Sequence, residues 1–483
     1  MKSIFFILLF IITFNIQAQP PSKFYTRIGG NGYDVGYDVK QTLDNGYIIS
    51  GSTSSMGVGN TDMYLLKLDS MGQIKFQSTF GNANNDIGKS VIQLIDSSYV
   101  IVGYTNSIGF GGYDIFLVKA DKYGALVWQK TIGGTDWDFA NSLQQTSDGG
   151  FIIAGSTYSY GHGNADGYVV KTDANGNITW SKTFGGRHDD EFKSVIQTVD
   201  GGYALTGYTK SITDSVNGDA WVFKLLANGD SAWSKNYGGV KEDFGNAISQ
   251  LQNADIIIAG GTRSSSTSGN SETNFTTLDV TNGNQTHTYT DLSSVDEYYN
   301  DVEQGINGFI IGCGSTHSVL YSYDGVVDIY TSYYGYFNAF SAGGSSADEL
   351  FSITKTKDKG YAIVGKTNSY GAILDDVFFI KMDSVGNYGN SITSLKNIEL
   401  DNLEITIFPN PSTDYININL SSELDVNKSS FKIVDINGSV VFSNDIQYYH
   451  SKVDISDLSA GLYFFQLYNG NVLLKISKIS VVK

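Results

Sequence analysis

The stretch Asp148-Gly149-Gly150-Phe151-Ile152-Ile153-Ala154-Gly155-Ser156-Thr157 recurs with small changes along most of the chain. The position of Gly155 is repeated every 51 to 54 residues, and its seven copies are Gly51, Gly103, Gly155, Gly207, Gly260, Gly314 and Gly365. A fixed period of about fifty residues is typical of repeat architectures. We therefore predict a repeat protein with seven copies of one structural unit.

The third copy shows the unit most clearly. Asp138 to Thr146 and Phe151 to Thr157 predict two strands joined by an Asp-Gly-Gly turn. After a longer loop, Gly167 to Thr172 and Ile178 to Phe184 predict two more strands, and Asp173-Ala174-Asn175-Gly176 between them is typical of a tight hairpin turn. Four antiparallel strands per copy predict an all-β fold, a seven-bladed β-propeller. A solenoid of the same period is the alternative.

The two ends of the repeat region predict how a ring would close. Lys23 to Gly30 matches Trp180 to Gly186, the fourth strand of a copy, so the chain starts one strand out of phase. In the seventh copy three strands are predicted, at Leu350 to Thr356, Tyr361 to Thr367 and Val377 to Met382. We expect Phe24 to Ile28 to supply the missing fourth strand, which leaves no exposed sheet edge.

The composition agrees with an all-β fold and limits the function. Charged residues make up only 17% of the chain while Gly, Tyr and Phe are plentiful, which suits short strands and tight turns. The net charge of −18 argues against nucleic acid as a partner, because that binding depends on Lys and Arg. Cys313 is the single cysteine, so an intramolecular disulfide and a cysteine-rich metal site are excluded.

The N-terminus has the pattern of a secretory signal peptide. Lys2 precedes an apolar run from Ile4 to Phe14, and the small residue Ala18 precedes Gln19. We predict a signal peptide over residues 1–18 and a propeller over residues 19–387. The apolar run is short for a transmembrane helix and no later stretch could span a bilayer, so the mature chain is expected to have no transmembrane segment.

The repeat pattern stops after Asn387, and residues 388–403 predict a linker. Residues 404–483 predict a second domain, a small Ig-like β-sandwich. After an alternating strand at Tyr415 to Leu420, its further predicted strands are Phe431 to Val434, Val440 to Ser443, Leu462 to Leu467 and Val472 to Val481.

Several motifs of this second domain occur in a recognisable order: Phe408-Pro409-Asn410-Pro411, Val434 to Gly438, Ile455 to Tyr463, and Lys475 to Lys483. With these motifs the domain resembles the type A C-terminal sorting domain of the type IX secretion system of Bacteroidota. An unrelated Ig-like module is the alternative. The residues that carry the motif are Pro409, Asn410, Pro411, Gly438, Gly461 and Tyr463.

The resemblance implies a route and a destination for the protein. The type IX secretion machinery would be a partner, and the product would be secreted or held at the outer-membrane surface. Such domains are often removed after export. The sequence leaves open whether this one is cleaved and whether the product is anchored or released.

Two aspartate positions recur on the predicted long-loop face of the propeller. The first row, after the Gly-Gly pair, is Asp34, Asp86, Asp138, Asp190, Asp243 and Asp348. The second row, before the third strand, is Asp62, Asp114, Asp166, Asp219 and Asp376. A carboxylate in nearly every blade favours a structural role as an acceptor for loop N–H groups. The alternative is a hard cation such as Ca²⁺, although no Asp-x-Asp-x-Asp-Gly array is present, and no other cofactor is expected.

Aromatic residues are predicted to decorate the long loops: Tyr33, Tyr37, Trp137, Tyr158, Tyr160, Tyr298 and Tyr299. Exposed rings could stack on sugar faces, although packing between blades is an alternative role for each of them. The densest polar cluster is His188-Asp189-Asp190-Glu191, which could ligate a metal or act as an acid or base. The candidate binding residues are Trp137, Tyr158, Tyr160, His188, Asp189 and Glu191.

The sequence shows no nucleophile elbow, no His-Glu-x-x-His motif and no phosphate-binding glycine loop. We therefore predict an exported, non-catalytic propeller that binds a glycan or a protein ligand. The alternative is an extracellular polysaccharide hydrolase or lyase with its site at the mouth of the propeller channel.

Overall fold

The structure is a computed structural model. It describes residues 23–211, 217–264, 270–291, 295–305, 307–317, 323–332, 335–387, 406–420, 426, 429–435, 440–469 and 472–483. The predicted signal peptide and linker lie outside the described residues. All the regular elements in the described part are strands, and they form two compact units, one with the repeats and one at the C-terminus.

The repeat unit contains seven four-stranded sheets, the blades. Its strands in blades one to three are β2 Asp34–Gln41, β3 Tyr47–Thr53, β4 Asp62–Leu68, β5 Ile74–Phe80, β6 Asp86–Gln93, β7 Tyr99–Thr105, β8 Asp114–Ala120, β9 Leu126–Ile132, β10 Asp138–Gln145, β11 Phe151–Thr157, β12 Asp166–Thr172 and β13 Ile178–Phe184. Blades four to six contain β14 Asp190–Gln197, β15 Tyr203–Thr209, β16 Asp219–Leu225, β17 Ser231–Tyr237, β18 Asp243–Gln250, β19 Ile256–Thr262, β20 Glu272–Leu278, β21 Gln285–Thr290, β22 Asp296–Gln304, β23 Ile310–His317, β24 Tyr323–Tyr330 and β25 Tyr336–Ala342. Blade seven contains β26 Asp348–Lys355, β27 Tyr361–Thr367, β28 Asp376–Met382 and the N-terminal strand β1 Phe24–Ile28.

The order of blade seven, β26-β27-β28-β1, confirms the predicted strand exchange. Phe24 is fully buried, and its ring lies 5.8 Å from the ring of Phe379 in β28. The first strand of blade one, β2, packs against β26, β27 and β28, and the Asp34 N–H donates to the Asp375 carbonyl at 2.7 Å. Blade one therefore contacts blade seven and the ring is closed, as in the predicted seven-bladed propeller.

The repeated glycine is explained by the close approach of two backbones. Gly155 in β11 faces Phe139 in β10, and a Cβ at Gly155 would lie 1.9 Å from the Phe139 carbonyl oxygen. The other six copies of this glycine have the same environment, with the same contact at 1.8 to 2.0 Å. No other residue fits there without a shift of the backbone, which is why the period is so clear in the sequence.

The first strand of every blade carries a register irregularity, which is at Asn141 in blade three. Such a bulge re-aims a side chain relative to the regular alternation of a strand. The core lies between neighbouring blades, where Ile48 and Leu65 of blade one pack in one cluster with Ile101 and Phe116 of blade two. The large aromatic residues that share one fourth-strand position are half-buried and pack at the edges of such clusters: Phe76, Trp128, Trp180 and Trp233.

Blades five and six keep four strands although their sequences differ from those of the other copies. In blade six the first strand is one residue longer, and Glu297 takes the place of the first-row aspartate by accepting the Thr316 hydroxyl at 2.9 Å. Blade six also contains a buried carboxyl, Asp328, which accepts the Tyr299 hydroxyl at 2.7 Å; the Tyr330 hydroxyl lies 3.0 Å from that of Tyr299.

The C-terminal unit is a sandwich of two sheets, which confirms the prediction for this domain. A three-stranded sheet has the order β29-β30-β33 and a four-stranded sheet the order β32-β31-β34-β35. The strands are β29 Thr406–Phe408, β30 Tyr415–Asn419, β31 Ser429–Val434, β32 Val440–Asp445, β33 His450–Asp454, β34 Gly461–Asn469 and β35 Val472–Val481. Strand β33 was not predicted. Ile418, Phe431 and Phe465 lie in the shared core.

We predict that Phe24→Ala destabilises the repeat unit by about 3 to 5 kcal/mol, because a large buried ring is lost from the strand that closes the ring. Chemical denaturation followed by intrinsic fluorescence measures the change. Leu126→Ala is the control, because Leu126 is half exposed on an outer strand and its loss should cost less than about 1 kcal/mol. Equal effects of the two substitutions would contradict the closing role of β1.

We also predict a pH-dependent stability that depends on Asp328. Burial raises the pKa of Asp328 from 3.8 to about 6, so the folded protein holds this proton at pH values where the unfolded chain has lost it. Its protonated form therefore stabilises the fold at low pH, and this contribution is lost as the pH rises from about 4 through about 6.

In Asp328→Asn, the change in unfolding free energy between pH 4 and pH 7 should be smaller than in the native protein by on the order of 3 kcal/mol. Urea denaturation at each pH measures this change. Asp136→Asn is the control, because this side chain is exposed. If the stability of Asp328→Asn falls with pH as steeply as that of the native protein, Asp328 is not the group responsible.

Candidate functional site

The first-row aspartates are buried acceptors at the junctions between blades. Asp138 is fully buried, and one of its carboxylate oxygens accepts the Gly134 N–H at 2.8 Å and the Ser159 hydroxyl at 2.7 Å. The Thr157 hydroxyl donates to its other oxygen. The same Ser contact recurs at Asp34, Asp86, Asp243 and Asp348. These contacts agree with the structural role that the repetition predicted.

The second-row aspartates lie next to the first-row aspartates of the following blade. A Cβ at Gly133 would lie 2.1 Å from an Asp114 oxygen and 2.6 Å from an Asp138 oxygen, so both carboxylates border this glycine. Burial raises the pKa of Asp114, and the nearby charge of Asp138 adds to the shift. Among the described residues, no group of three or more His, Cys, Asp or Glu side chains could hold a metal ion.

Five aromatic rings form a continuous cluster on the long-loop face of blades two and three. We call this set the aromatic cluster: Tyr104, Tyr113, Trp137, Phe139 and Tyr158. Trp137 is 49% exposed and Tyr158 is 40% exposed, and their ring centroids are 5.9 Å apart in an edge-to-face arrangement. Phe139 connects Trp137 to Tyr104, at 6.3 and 5.0 Å. The exposed rings thus rest on half-buried ones and have a fixed orientation.

Tyr160, which was predicted with them, has a different environment. It is 45% exposed, its ring contacts Tyr168 at 5.8 Å, and its hydroxyl donates to the Gly133 carbonyl at 2.8 Å. Tyr160 lines a separate cavity of about 520 Å³ with Phe110 at the outer edge of blades two and three. The structure therefore brings Trp137 and Tyr158 together and places Tyr160 in another site.

Polar residues of blade four border the aromatic cluster. Burial raises the pKa of Tyr158, and the charges of Asp189 and Glu191 on blade four add to the shift. Asp189 lies 3.6 Å from the Lys210 ammonium group. His188 is exposed, and its backbone N–H donates to the Ser211 hydroxyl at 3.0 Å. Trp137, Tyr158, Asp189 and Glu191 thus share one neighbourhood.

The other aromatic residues predicted on long loops need correction. Tyr33 is an exposed loop residue, as expected. Tyr37 lies in β2, and Tyr298 and Tyr299 lie in β22. Tyr299 is fully buried. The prediction was wrong for these three because they follow the first-row acidic position of their blades and therefore lie inside the first strands.

The innermost strands of all seven blades line a central channel with a cavity of about 490 Å³. The bulge residue of each first strand contributes to its wall: Tyr37, Lys89, Asn141, Lys193, Asn246, Asn300 and Phe351. The set contains three asparagines, two lysines and two aromatic residues. Sequence analysis missed it as a set, because the residues on either side of the bulge also vary and the bulge itself is not visible in the spacing.

The channel wall carries several charges. Burial lowers the pKa of Lys89 to about 8, and the neighbouring Lys193 contributes to the shift. The Lys89 ammonium lies 3.7 Å from the centroid of the Tyr37 ring. Glu191 accepts a hydrogen bond from Asn141 at 2.8 Å and pairs with Lys193 at 2.7 Å. Glu191 therefore joins the aromatic cluster to the channel wall.

In the C-terminal unit, Asn410 holds the last strand. Its side-chain amide donates to the Lys478 carbonyl at 2.7 Å and its carbonyl accepts the Ser480 N–H at 2.9 Å. Pro409 and Pro411 flank it, and the Tyr463 hydroxyl donates to the Ser459 carbonyl at 2.9 Å. Gly461 begins β34, and Gly438 lies outside the described residues.

Residues 406–483 match the family model of the secretion system C-terminal sorting domain. The chain carries a type IX secretion sorting domain. This domain implies interaction with the type IX secretion machinery and export to the cell surface or the extracellular space. In the described part of the chain, no helix has the length and apolar character needed to cross a membrane.

One curated protein and several solved structures are similar to this chain. The regulatory protein FlaEY of Caulobacter vibrioides is 25% identical over 284 residues, which are 52% of this chain and 29% of that protein. The chain thus spans less than a third of the length of this relative.

PorZ, a surface component of the type IX secretion system of Porphyromonas gingivalis, has 10% identity and a TM-score of 0.44 over 94% of this chain and 60% of its own. The Pan2 WD40 domain of Neurospora crassa has 9% identity and a TM-score of 0.47 over 76% of this chain and 99% of its own. At such scores these similarities carry no functional information.

We predict that Asp138→Ala destabilises the repeat unit by about 2 to 4 kcal/mol, because it leaves buried donors from Gly134, Thr157 and Ser159 without their acceptor. Thermal and urea unfolding measure the loss. Asp136→Ala, an exposed neighbour in the same loop, is the control and should cost less than about 1 kcal/mol. A loss of unfolding free energy as small as that of the control would contradict the proposed role of the first-row aspartates at the blade junctions.

Proposed function

We propose that the propeller is a non-catalytic glycan-binding module, exported by its sorting domain, which binds sugar at the aromatic cluster. The observation that carries this proposal is the pair of exposed rings, Trp137 and Tyr158, held edge to face on a layer of half-buried aromatic residues. Rigid aromatic rings lose little conformational entropy on binding and offer apolar area to the C–H face of a sugar.

The polar groups around the rings suit sugar hydroxyls. Asp189, Glu191 and Lys210 border Tyr158, and they offer both acceptors and a donor within one neighbourhood. Glycan sites combine such polar groups with aromatic area, because hydroxyls need partners once they leave water. Glu191 also contacts Asn141 and Lys193 of the channel wall, so the channel lies next to the aromatic cluster.

The test uses the full chain on a glycan array, with and without Ca²⁺, followed by titration of the best glycan by calorimetry. Trp137→Ala and Tyr158→Ala should each weaken binding at least tenfold, because each removes a stacking surface worth about 1 to 3 kcal/mol. Tyr123→Ala is the matched control, since this exposed tyrosine lies in a short turn on the opposite face, and it should keep the native affinity.

The same samples are assayed for newly formed reducing ends. Binding without release supports the proposal, whereas release of sugar would replace it by the hydrolase or lyase alternative. Retention of no glycan, or equal affinity of Trp137→Ala and the native protein, would reject the aromatic cluster as a glycan site. A requirement for Ca²⁺ would show that the carboxylates act through a cation.

A further inference from the structure

Blade five differs from the other blades at one place in its interior. In blade four, the ring of Phe192 stacks on Trp221 at 4.7 Å, and Phe223 contacts both rings at 5.9 and 5.0 Å. These three side chains fill the space between blade four and blade three. In blade five the strand register places smaller residues at the three positions, namely Gly245, Asn274 and Thr276.

The loss of these rings leaves a cavity of about 300 Å³ between blades four and five. One wall is a row of hydrogen-bonded side chains on β20 and β21. The Asn274 amide donates to the Thr290 hydroxyl at 2.8 Å, and the Thr276 and Thr288 hydroxyls are 3.2 Å apart. Blade five therefore has hydroxyl and amide groups where blade four has aromatic rings.

The facing wall comes from blade four and is apolar. It contains Ala220 and the ring of Tyr237, whose hydroxyl donates to the Gly283 carbonyl and so fixes the ring. Ser264 and Asp243 also line the cavity, and the Ser264 hydroxyl donates to the Asp243 carboxylate at 2.6 Å. Thr288 is exposed on the outermost strand, so the cavity can be reached from the outer rim of the propeller.

The chemistry of this cavity selects a neutral, hydroxyl-rich molecule. No Lys or Arg is among its described lining residues, which disfavours an anion, and the Asp243 carboxylate already has partners from its own loop. An aromatic ring opposite a row of hydroxyl groups matches a sugar ring, which has an apolar C–H face and a polar edge. The volume is at the lower end of ligand sites and is sufficient for one ring.

We propose that the cavity between blades four and five binds a single neutral hexopyranose unit. Its polar edge contacts the Thr276, Thr288 and Asn274 row, and its C–H face lies against Tyr237. This site is built from other blades than the aromatic cluster, so it stands or falls independently of the function proposed above.

The test measures binding of a panel of methyl hexopyranosides, the α- and β-anomers of glucose, galactose and mannose, to the full chain by saturation-transfer NMR and calorimetry. At least one glycoside should bind. Thr288→Val removes one hydroxyl from the wall without a change of shape and should weaken binding about fivefold to tenfold. Thr286→Val is the matched control, because Thr286 lies on the other side of the same strand, against Thr277, and it should leave the affinity unchanged.

A second variant fills the cavity. Asn274→Phe with Thr276→Val restores the residues that blade two has at these positions, Phe116 and Val118, and should abolish binding while the unfolding temperature stays equal or rises. The whole panel is also measured in a Trp137→Ala background, so that binding at the aromatic cluster does not contribute to the signal and the two sites are tested separately.

Three results would overturn the proposal. The first is that no glycoside of the panel binds, and the second is that binding persists in the filled variant. The third is that Thr286→Val weakens binding as much as Thr288→Val does. If the filled variant does not fold, the comparison of the two valine variants still decides the matter.

Discussion

A buried carboxylate at the start of six of the seven first strands holds together segments that are separated in the chain. In blade three, Asp138 joins the glycine loop before it to Thr157 and Ser159 after the second strand. A buried charge without such donors would strongly disfavour folding, so the two loops and the strand are ordered together. The exposed rings of Trp137 and Tyr158 are direct neighbours of these residues. The contact that joins two blades therefore also positions the candidate binding surface.

Much of the fold was visible in the sequence because its constraints repeat. The close approach at Gly155 allows only glycine, and the same constraint in seven blades produces a period that needs no structure to detect. The candidate site was harder to predict from the sequence. Tyr104 and Phe139 come from different repeats, and their contact depends on how neighbouring blades pack. The spacing of residues along the sequence does not show this packing. Tyr299 looked like a loop residue and is core, because it occupies the strand position of the buried Phe192, opposite the repeated glycine.

The repeats also explain where the protein can vary without loss of its fold. Each blade needs its glycine, its junction acceptor and enough apolar area for its neighbours, and other positions are free to differ. The channel wall varies at the bulge residue, as in Lys89 and Phe351, and blade five varies at Asn274 and Thr276. Departures from the repeat that meet in space are the positions where a ligand could be recognised, since the scaffold itself does not require them.

The strand exchange in blade seven has a consequence for the topology of the chain. Strands β1 and β28, which begin and end the repeat unit, are neighbours in one sheet. The two ends of the repeat unit are thus hydrogen-bonded to each other in one sheet. Every blade therefore packs between two neighbouring blades. The fold is therefore set by the cyclic order of its strands and not by the point at which the chain enters it, so a circularly permuted chain opened at any short turn would have the same contacts to form.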